Sequence, residues 1–146
     1  MSQGRTVQLE IPDDLERAFS VMKELRTAID IDDFSRLVRL AQAADGYRLV
    51  AREESGKLLA VMGYRILHDL AHGSHIYIDD LVTAASSRSQ GQGAELLHYA
   101  ESEARRLGLT VLRLCARIDN QEARKLYERE GWEFISAAYK KRVASH

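Results

Sequence analysis

The sequence predicts an α/β fold with a mixed central sheet, on three observations. Short segments of alternating or continuous apolar character, such as residues 6–10 and 47–52, have the period of strands. Longer segments, such as the one carrying Leu15, Ala18, Phe19, Met22 and Leu25, place their apolar residues on one helical stripe. The elements follow in the order β, α, α, three antiparallel strands, α, β, α, β. That order gives a sheet that is antiparallel in its first half and is flanked by about four helices.

The first strand, residues 6–10, ends near the one proline, Pro12. From Asp13 the period becomes helical, with Asp13 or Asp14 as N-cap. A second helix is expected with Asp32 as its cap, Phe34, Leu37, Val38 and Ala41 as its stripe, and Gly46 as its stop. Residues 47–52 and 58–67 then pair through the turn Glu54-Ser55-Gly56-Lys57. A turn over residues 69–74 delivers a strand at 75–83. Beyond Gly91 and Gly93, the stripe Leu97, Ala100, Ala104 and Leu107 marks a long helix closed by Gly108. Residues 110–116 read as a buried strand in which Cys115 is packed in the core. Asp119 and Glu122 have the spacing of a capping box and open a short helix with Ala123, Leu126 and Tyr127. Gly131 ends it, and residues 132–143 supply a last strand, continuous or broken near 136–138.

Composition narrows the function. The length of 146 residues suits one domain spanning 1–146, and 45% hydrophobic residues are enough for a real core. A net charge of -1 offers no global attraction for nucleic acid or an anionic membrane, so a polyanionic ligand needs a local site. No apolar run approaches the roughly 20 residues that span a bilayer, and residues 1–5 do not resemble a signal peptide, so a cytoplasmic location is expected. A single cysteine excludes a disulfide framework and a cysteine-rich zinc site. His68, His72 and His75 cluster across a turn and read as a solvated loop, so no metal is expected.

The chemically informative stretch runs from Leu81 to Leu97. A strand ends, a polar loop with Gly91 and Gly93 follows, and a helix begins. Free N–H groups and a partial positive charge at a helix start suit a phosphate. Glycines let the backbone come close to it, and Arg88 adds a cation. Two other phosphate binders fail on required residues. A nucleoside-triphosphate loop needs Gly-Lys-Ser/Thr, whereas Gly93 is followed by Ala94-Glu95. A dinucleotide fingerprint needs a third glycine or alanine where Leu96 stands, and an acidic residue after the next strand, where Cys115-Ala116-Arg117 stands.

What fits is Arg-x-x-Gly-x-Gly, Arg88 to Gly93, with Asn120-x-x-Ala123-x-x-Leu126-Tyr127-x-x-x-Gly131-Trp132 downstream. On these residues the sequence resembles the GNAT superfamily of acetyl-CoA-dependent N-acetyltransferases over nearly its whole length. The resemblance implies a sheet with splayed fourth and fifth strands, and transfer of an acetyl group to a primary amine by direct attack. It implies that the N–H groups of Gln90, Gly91, Gln92, Gly93 and Ala94 cradle the pyrophosphate, beside Arg88 and Ser89. Leu81, Val82 and Thr83 would pair with the pantetheine arm, and the Leu81 N–H would polarise the thioester carbonyl. Tyr127 matches the general acid for the CoA thiolate, and Asn120 either binds the pantetheine amide or caps its helix. Where some members carry a glutamate base, this sequence has Tyr77. Asp79, on the strand face of Tyr77, and Asp80, pointing the other way, remain to deprotonate the amine, to bind its charge, or as plain surface carboxylates.

Acceptor choice is implied to lie in residues 26–33 and the final strands. Asp30, Asp32 and Asp33 there suit either a cationic acceptor, a small-molecule or protein amine, or helix capping. An edge left by a single bent last strand would be covered by a second subunit, giving a homodimer. A CoA-binding sensor of the same fold, without turnover, is the competing reading.

Overall fold

The computed structural model describes residues 3–145 and falls into two compact units that meet in sequence at Leu114 and Cys115. The first unit is built on a five-stranded sheet in the order β1-β2-β3-β4-β5. Its strands are β1 (Arg5–Gln8), β2 (Arg48–Glu54), β3 (Lys57–Asp69), β4 (Gly73–Thr83) and β5 (Leu112–Leu114). β1 to β4 pair antiparallel in succession, and β5 joins β4 in parallel. Helices α1 (Leu15–Met22) and α2 (Ile31–Asp45) precede β2, and α3 (Gln92–Arg106) connects β4 to β5.

The strands are apolar in runs because both faces of the sheet are covered. On one face Leu15, Ala18 and Met22 of α1 and Phe34 and Val38 of α2 pack with Leu49, Ala51, Val61 and Val82. α3 packs against β2, β3 and β4, and its Leu96 and Leu97 are fully buried. The hairpin turn between β2 and β3 has both central residues, Ser55 and Gly56, at positive φ (51° and 80°), the backbone that a tight hairpin with right-handed twist requires.

Helix starts differ from the sequence expectation by one or two residues. α2 is capped by Asp30, whose Oδ1 accepts from the Asp33 N–H at 2.8 Å, and not by Asp32. Asp14 stands at the N-cap of α1, but its carboxylate accepts the Glu10 N–H (2.7 Å) and pairs with Arg17 (3.0 Å). Gly46 stops α2 in the left-handed conformation, φ 66°, as its position predicts.

A buried polar cluster ties the start of α3 to the sheet. Arg52, 6% exposed, donates through Nε to Gln92 Oε1 (2.9 Å), through Nη1 to Thr6 Oγ1 (3.0 Å), and through Nη2 to the Gln3 and Gly4 carbonyls (3.1 and 3.0 Å). Gln92 Nε2 donates to the Gln3 carbonyl at 2.9 Å. Removing the guanidinium leaves several dry acceptors without donors, each costing about 1–3 kcal/mol. Arg52→Met is therefore expected to lose about 3 kcal/mol or more in urea unfolding; a change below about 0.5 kcal/mol would contradict this role.

The second unit holds α4 (Gln121–Arg129). Asn120 caps it, its Oδ1 accepting from the Ala123 N–H at 3.1 Å, while Asp119 pairs with Arg117 at 3.1 Å. The cap thus stands one residue beyond Asp119, as a single bond rather than the expected capping box, because Ala123 has no polar side chain to reach back. Gly131, at φ 87°, ends the helix as expected. Residues 132–145 form no strand, contrary to the expectation for 132–143: the ladder of the described sheet ends at β5, and a strand needs a paired neighbour. Cys115 is exposed rather than packed, because β5 stops at Leu114.

Candidate active site

The loop between β4 and α3 is shaped as its motif implies. After a single 3₁₀ turn, Ala85–Ser87, Arg88 is extended, and Ser89 and Gly91 both take left-handed backbone, φ 62° and 79°. Such alternation turns successive N–H groups into one concavity, an anion-binding nest, and here it leads directly into the first turn of α3. Gln90 lies between the two left-handed residues, while Gln92, Gly93 and Ala94 begin the helix. The side chain of Gln92 points into the Arg52 cluster, which fixes the helix start from below. Arg88 is half exposed and lies 3.9 Å from Glu24, a long ion pair that leaves its guanidinium open to other anions.

β4 brings the strand to this loop with one edge open. Its parallel pairing with β5 covers only Ile76 to Ile78, whereas its antiparallel register with β3 continues to Thr83. Leu81, Val82 and Thr83 thus have a β3 neighbour on one side and no β5 neighbour on the other. This is the splay between the fourth and fifth strands, and an extended ligand can add to it through backbone hydrogen bonds.

Asp79 and Asp80 precede this segment, and both line one cavity of about 330 Å³ bounded by α1, α2, Tyr47 and strands β3 and β4. Strict alternation would send them to opposite faces. A bulge overrides it: Gly63 pairs with Asp80 and Tyr64 with Ile78, so Asp79 is the extra residue. Asp80 therefore does not point away from the site of Asp79, as period 2 alone suggests.

Three side chains from elsewhere in the chain hold these acids. Arg26 Nε donates to Asp80 Oδ1 (2.9 Å), and the Tyr47 hydroxyl donates to Asp80 Oδ2 (2.6 Å). Arg65 grips Asp79 with two bonds, Nε to Oδ2 (2.9 Å) and Nη2 to Oδ1 (2.8 Å). Gly63 makes room: a Cβ there would lie 1.7 Å from the Tyr47 hydroxyl. Burial raises the Asp79 carboxyl above the ordinary carboxylate range, against the lowering pull of Arg65. Burial and the neighbouring Asp80 charge push the Tyr47 phenol well up, so it stays a donor. The walls of the cavity are apolar and include Met22, Ile29, Phe34, Leu37, Val38 and Ala41.

Nothing local in the sequence marks Tyr47, Gly63 and Arg65 as site residues; Arg26 falls within the expected acceptor segment, residues 26–33, without a role of its own there. The sequence also suggests a cationic acceptor site in the α1–α2 aspartates. Asp30 instead caps α2, Asp33 lies 3.6 Å from Arg36, and none of Asp30, Asp32 and Asp33 lines the cavity. Tyr77, in place of the family's glutamate, stacks under the guanidiniums of Arg65 and Arg113, at 5.7 and 5.1 Å from its ring centroid.

In the second unit Tyr127 is half-buried on α4, its ring 6.0 Å from that of Trp132 and its carbonyl accepting the Trp132 N–H at 2.9 Å. Burial raises its phenol, so it holds its proton across neutral pH. The Asn120 side chain serves the helix cap, with its Nδ2 outside that bond.

The histidine turn is solvent-exposed at His68 and residues 70, 71, 73 and 74, as spacing suggests, but His72 is half-buried. His75 is fully buried, and its ligand-capable nitrogen gathers with those of His72 and an Asp69 carboxylate oxygen within 4.8 Å. Arg113 stands among them, its Nη1 2.9 Å from His72 Nδ1 and 3.6 Å from Asp69 Oδ2. A guanidinium already supplies the positive charge there.

The sequence and the fold are matched by known proteins. The acetyltransferase (GNAT) family profile matches residues 10–132, and the chain belongs to that family. It is 31% identical over 137 residues to an uncharacterized N-acetyltransferase, YhdJ, of Bacillus subtilis, covering 93% of this chain and 96% of that one. It is 33% identical over 88 residues to an aminoalkylphosphonate N-acetyltransferase of Salmonella typhimurium, a match covering 60% of this chain and 56% of that protein. Among solved structures, the aminoglycoside N-acetyltransferase AAC(6')-Iy in complex with CoA superposes with a TM-score of 0.84 at 16% identity, covering 99% of this chain and 97% of that one. At that identity the likeness concerns the fold. No described helix is long and apolar enough to cross a membrane.

Proposed function

We propose that the protein transfers an acetyl group from acetyl-CoA to the primary amine of an acceptor held in the Asp79–Asp80 cavity, by direct attack in a ternary complex. The observation that carries this reading is the Arg88-to-Gly93 loop, nested at the start of α3 and running straight on from the open edge of β4. Arg88, Ser89 and the N–H groups of residues 90–94 hold the pyrophosphate. Leu81, Val82 and Thr83 pair with the pantetheine arm, joined by Asn120 through Nδ2, and the Leu81 N–H donates to the thioester oxygen as negative charge develops.

Asp79 takes the proton of the incoming ammonium, since burial makes it a stronger base than an ordinary exposed carboxylate, and Asp80, held by Arg26 and Tyr47, binds and orients the amine. The amine nitrogen then bonds to the acetyl carbon, the C–S bond breaks as Tyr127 gives its proton to the leaving sulfur, and the nitrogen releases its second proton to solvent, from which the Tyr127 phenol is restored. No metal takes part in these steps. The family match over residues 10–132 runs through both units and supports reading 1–146 as one domain; a cytoplasmic location is part of the proposal. A homodimer is part of the proposal, on altered grounds: β5 is the outer strand of the described sheet, and Phe134, Ile135, Tyr139 and Val143 are exposed.

Tyr77 in the place of the family's glutamate favours the alternative, a CoA-binding sensor without turnover. Thiol release from acetyl-CoA across a panel of amines separates the two. Sustained, amine-dependent release supports the enzyme, and none with any amine supports the sensor.

The pH profile reports on Asp79. Its carboxyl is raised in the fold, so kcat/KM is expected to fall as pH drops through that raised value and the base becomes protonated. Asp79→Asn is expected to abolish this acidic limb and to lower kcat/KM by about 100-fold. An unchanged limb in the variant would assign the base elsewhere.

A further inference from the structure

Both carboxylates at the base of the cavity are matched one for one by guanidinium groups that also line it. Arg26 holds Asp80 and Arg65 holds Asp79. The lining therefore carries two positive and two negative charges and sums to zero, and the rest of its wall is apolar. A bare cation entering such a pocket gives up its hydration and finds no unmatched carboxylate. A molecule with both an amine and an acid group enters without net charge, and each end meets a partner of opposite sign.

The two pairs are not equivalent. The Arg65 side chain is 26% exposed and is committed to Asp79 by two bonds, with Asp45 at 3.4 Å. Arg26 is 49% exposed and touches Asp80 and the Asp79 carbonyl through Nε and Nη2. A guanidinium has five N–H donors, so Arg26 retains donors for a carboxylate or phosphonate. The volume of about 330 Å³ lies at the low end of the roughly 300–1,000 Å³ of small-molecule pockets, which suits a compact acceptor rather than a multi-ring polycation.

Resting on the acetyl-transfer reading, we propose that the acceptor is a zwitterion of amino-acid size. Its amine faces Asp79 and Asp80, its anionic group docks on Arg26, and its apolar body lies against Ile29, Phe34 and Leu37. The specificity is set by the neutral charge balance: polyamines are disfavoured by excess charge, and simple amines lack the second contact.

The test compares matched acceptors by thiol release: phenylalanine and leucine, the phosphonate analogues of both, the amines left when the acid group is removed, and spermidine as polycation. At least one zwitterion is expected to exceed its matched amine about tenfold or more in kcat/KM, and the carboxylate and phosphonate arms identify which anion is used. Arg26→Gln is expected to bring that ratio close to one, and Arg26→Lys to restore part of it; a merely structural role for Arg26 would lower both rates and leave the ratio intact. Preference for spermidine or for the plain amine, or a ratio unmoved by Arg26→Gln, overturns the proposal while leaving acetyl transfer standing. No acetylation of any zwitterion by a sample that binds CoA in calorimetry also overturns it. Loss of CoA binding itself would instead remove the underlying reading.

Discussion

Replacing Tyr127 by phenylalanine is expected to lower kcat about 100-fold or more while leaving the affinity for CoA within a few-fold. The reason lies in the leaving group. A thiolate that departs without a proton is poorly stabilised in a dry site, and general acid catalysis contributes about 100- to 10,000-fold. Burial keeps the Tyr127 phenol protonated at neutral pH, so the donor is in the right state without a partner to charge it. The ring also packs at 6.0 Å from Trp132, a contact that phenylalanine preserves. The substitution therefore isolates the hydroxyl. Steady-state rates at saturating acetyl-CoA, with CoA affinity by calorimetry, give the two numbers needed. A kcat within about threefold of the wild type would assign the proton to another group.

The second large effect comes from a residue that does no chemistry. Gly63→Ala places a methyl 1.7 Å from the Tyr47 hydroxyl and 2.3 Å from its ring carbon Cζ, distances no packing tolerates. Tyr47 must move, and Asp80 then loses its 2.6 Å hydrogen bond. Because Tyr47 is 6% exposed, there is little room for the ring to go. The expected cost is about 3 kcal/mol in urea unfolding, from overpacking plus a buried acceptor left short. Acetyl transfer is expected to fall by about 100-fold, while CoA binding, which the cavity does not serve, survives. Adding Tyr47→Leu to Gly63→Ala should recover part of the stability but not the transfer rate. A single Gly63→Ala variant as stable as wild type would contradict the packing described for this strand pair.

These two residues also show where the sequence is legible and where it is not. Tyr127 and the loop from Arg88 to Gly93 lie in contiguous motifs, so the roles proposed for them can be read from local spacing. The helices and the three long strands, β2 to β4, follow from apolar period, since both faces of the sheet are buried by helices that need their own stripes. Gly63 could not be found this way. Its importance depends on the ring of Tyr47, just ahead of β2, and on an aspartate from β4, brought together by a pairing that no single segment encodes. The bulge that turns Asp80 into the cavity is the same kind of feature: one extra residue in a ladder reverses the side predicted by alternation. Arg26 and Arg65 likewise reach Asp80 and Asp79 from 54 and 14 residues away. The displaced caps have a local cause. Where acids stand in a row, as at Asp30, Asp32 and Asp33, several can cap, and the backbone geometry picks one. Residues 132–143 alternate well enough to read as a strand, but pairing is a property of an edge and not of the segment.

The account rests on backbone amides at the start of α3 binding the diphosphate of CoA. Titration calorimetry of the untagged protein with CoA tests this directly, with Gly91→Val alongside. Gly91 sits at φ 79°, where a β-branched residue is strained by about 1–3 kcal/mol, so the nest should open. The account predicts micromolar binding by the wild type and a loss of about tenfold or more in the variant, with the fold intact by circular dichroism. A folded wild-type sample that gives no heat with CoA, or a variant that binds as tightly, would contradict it.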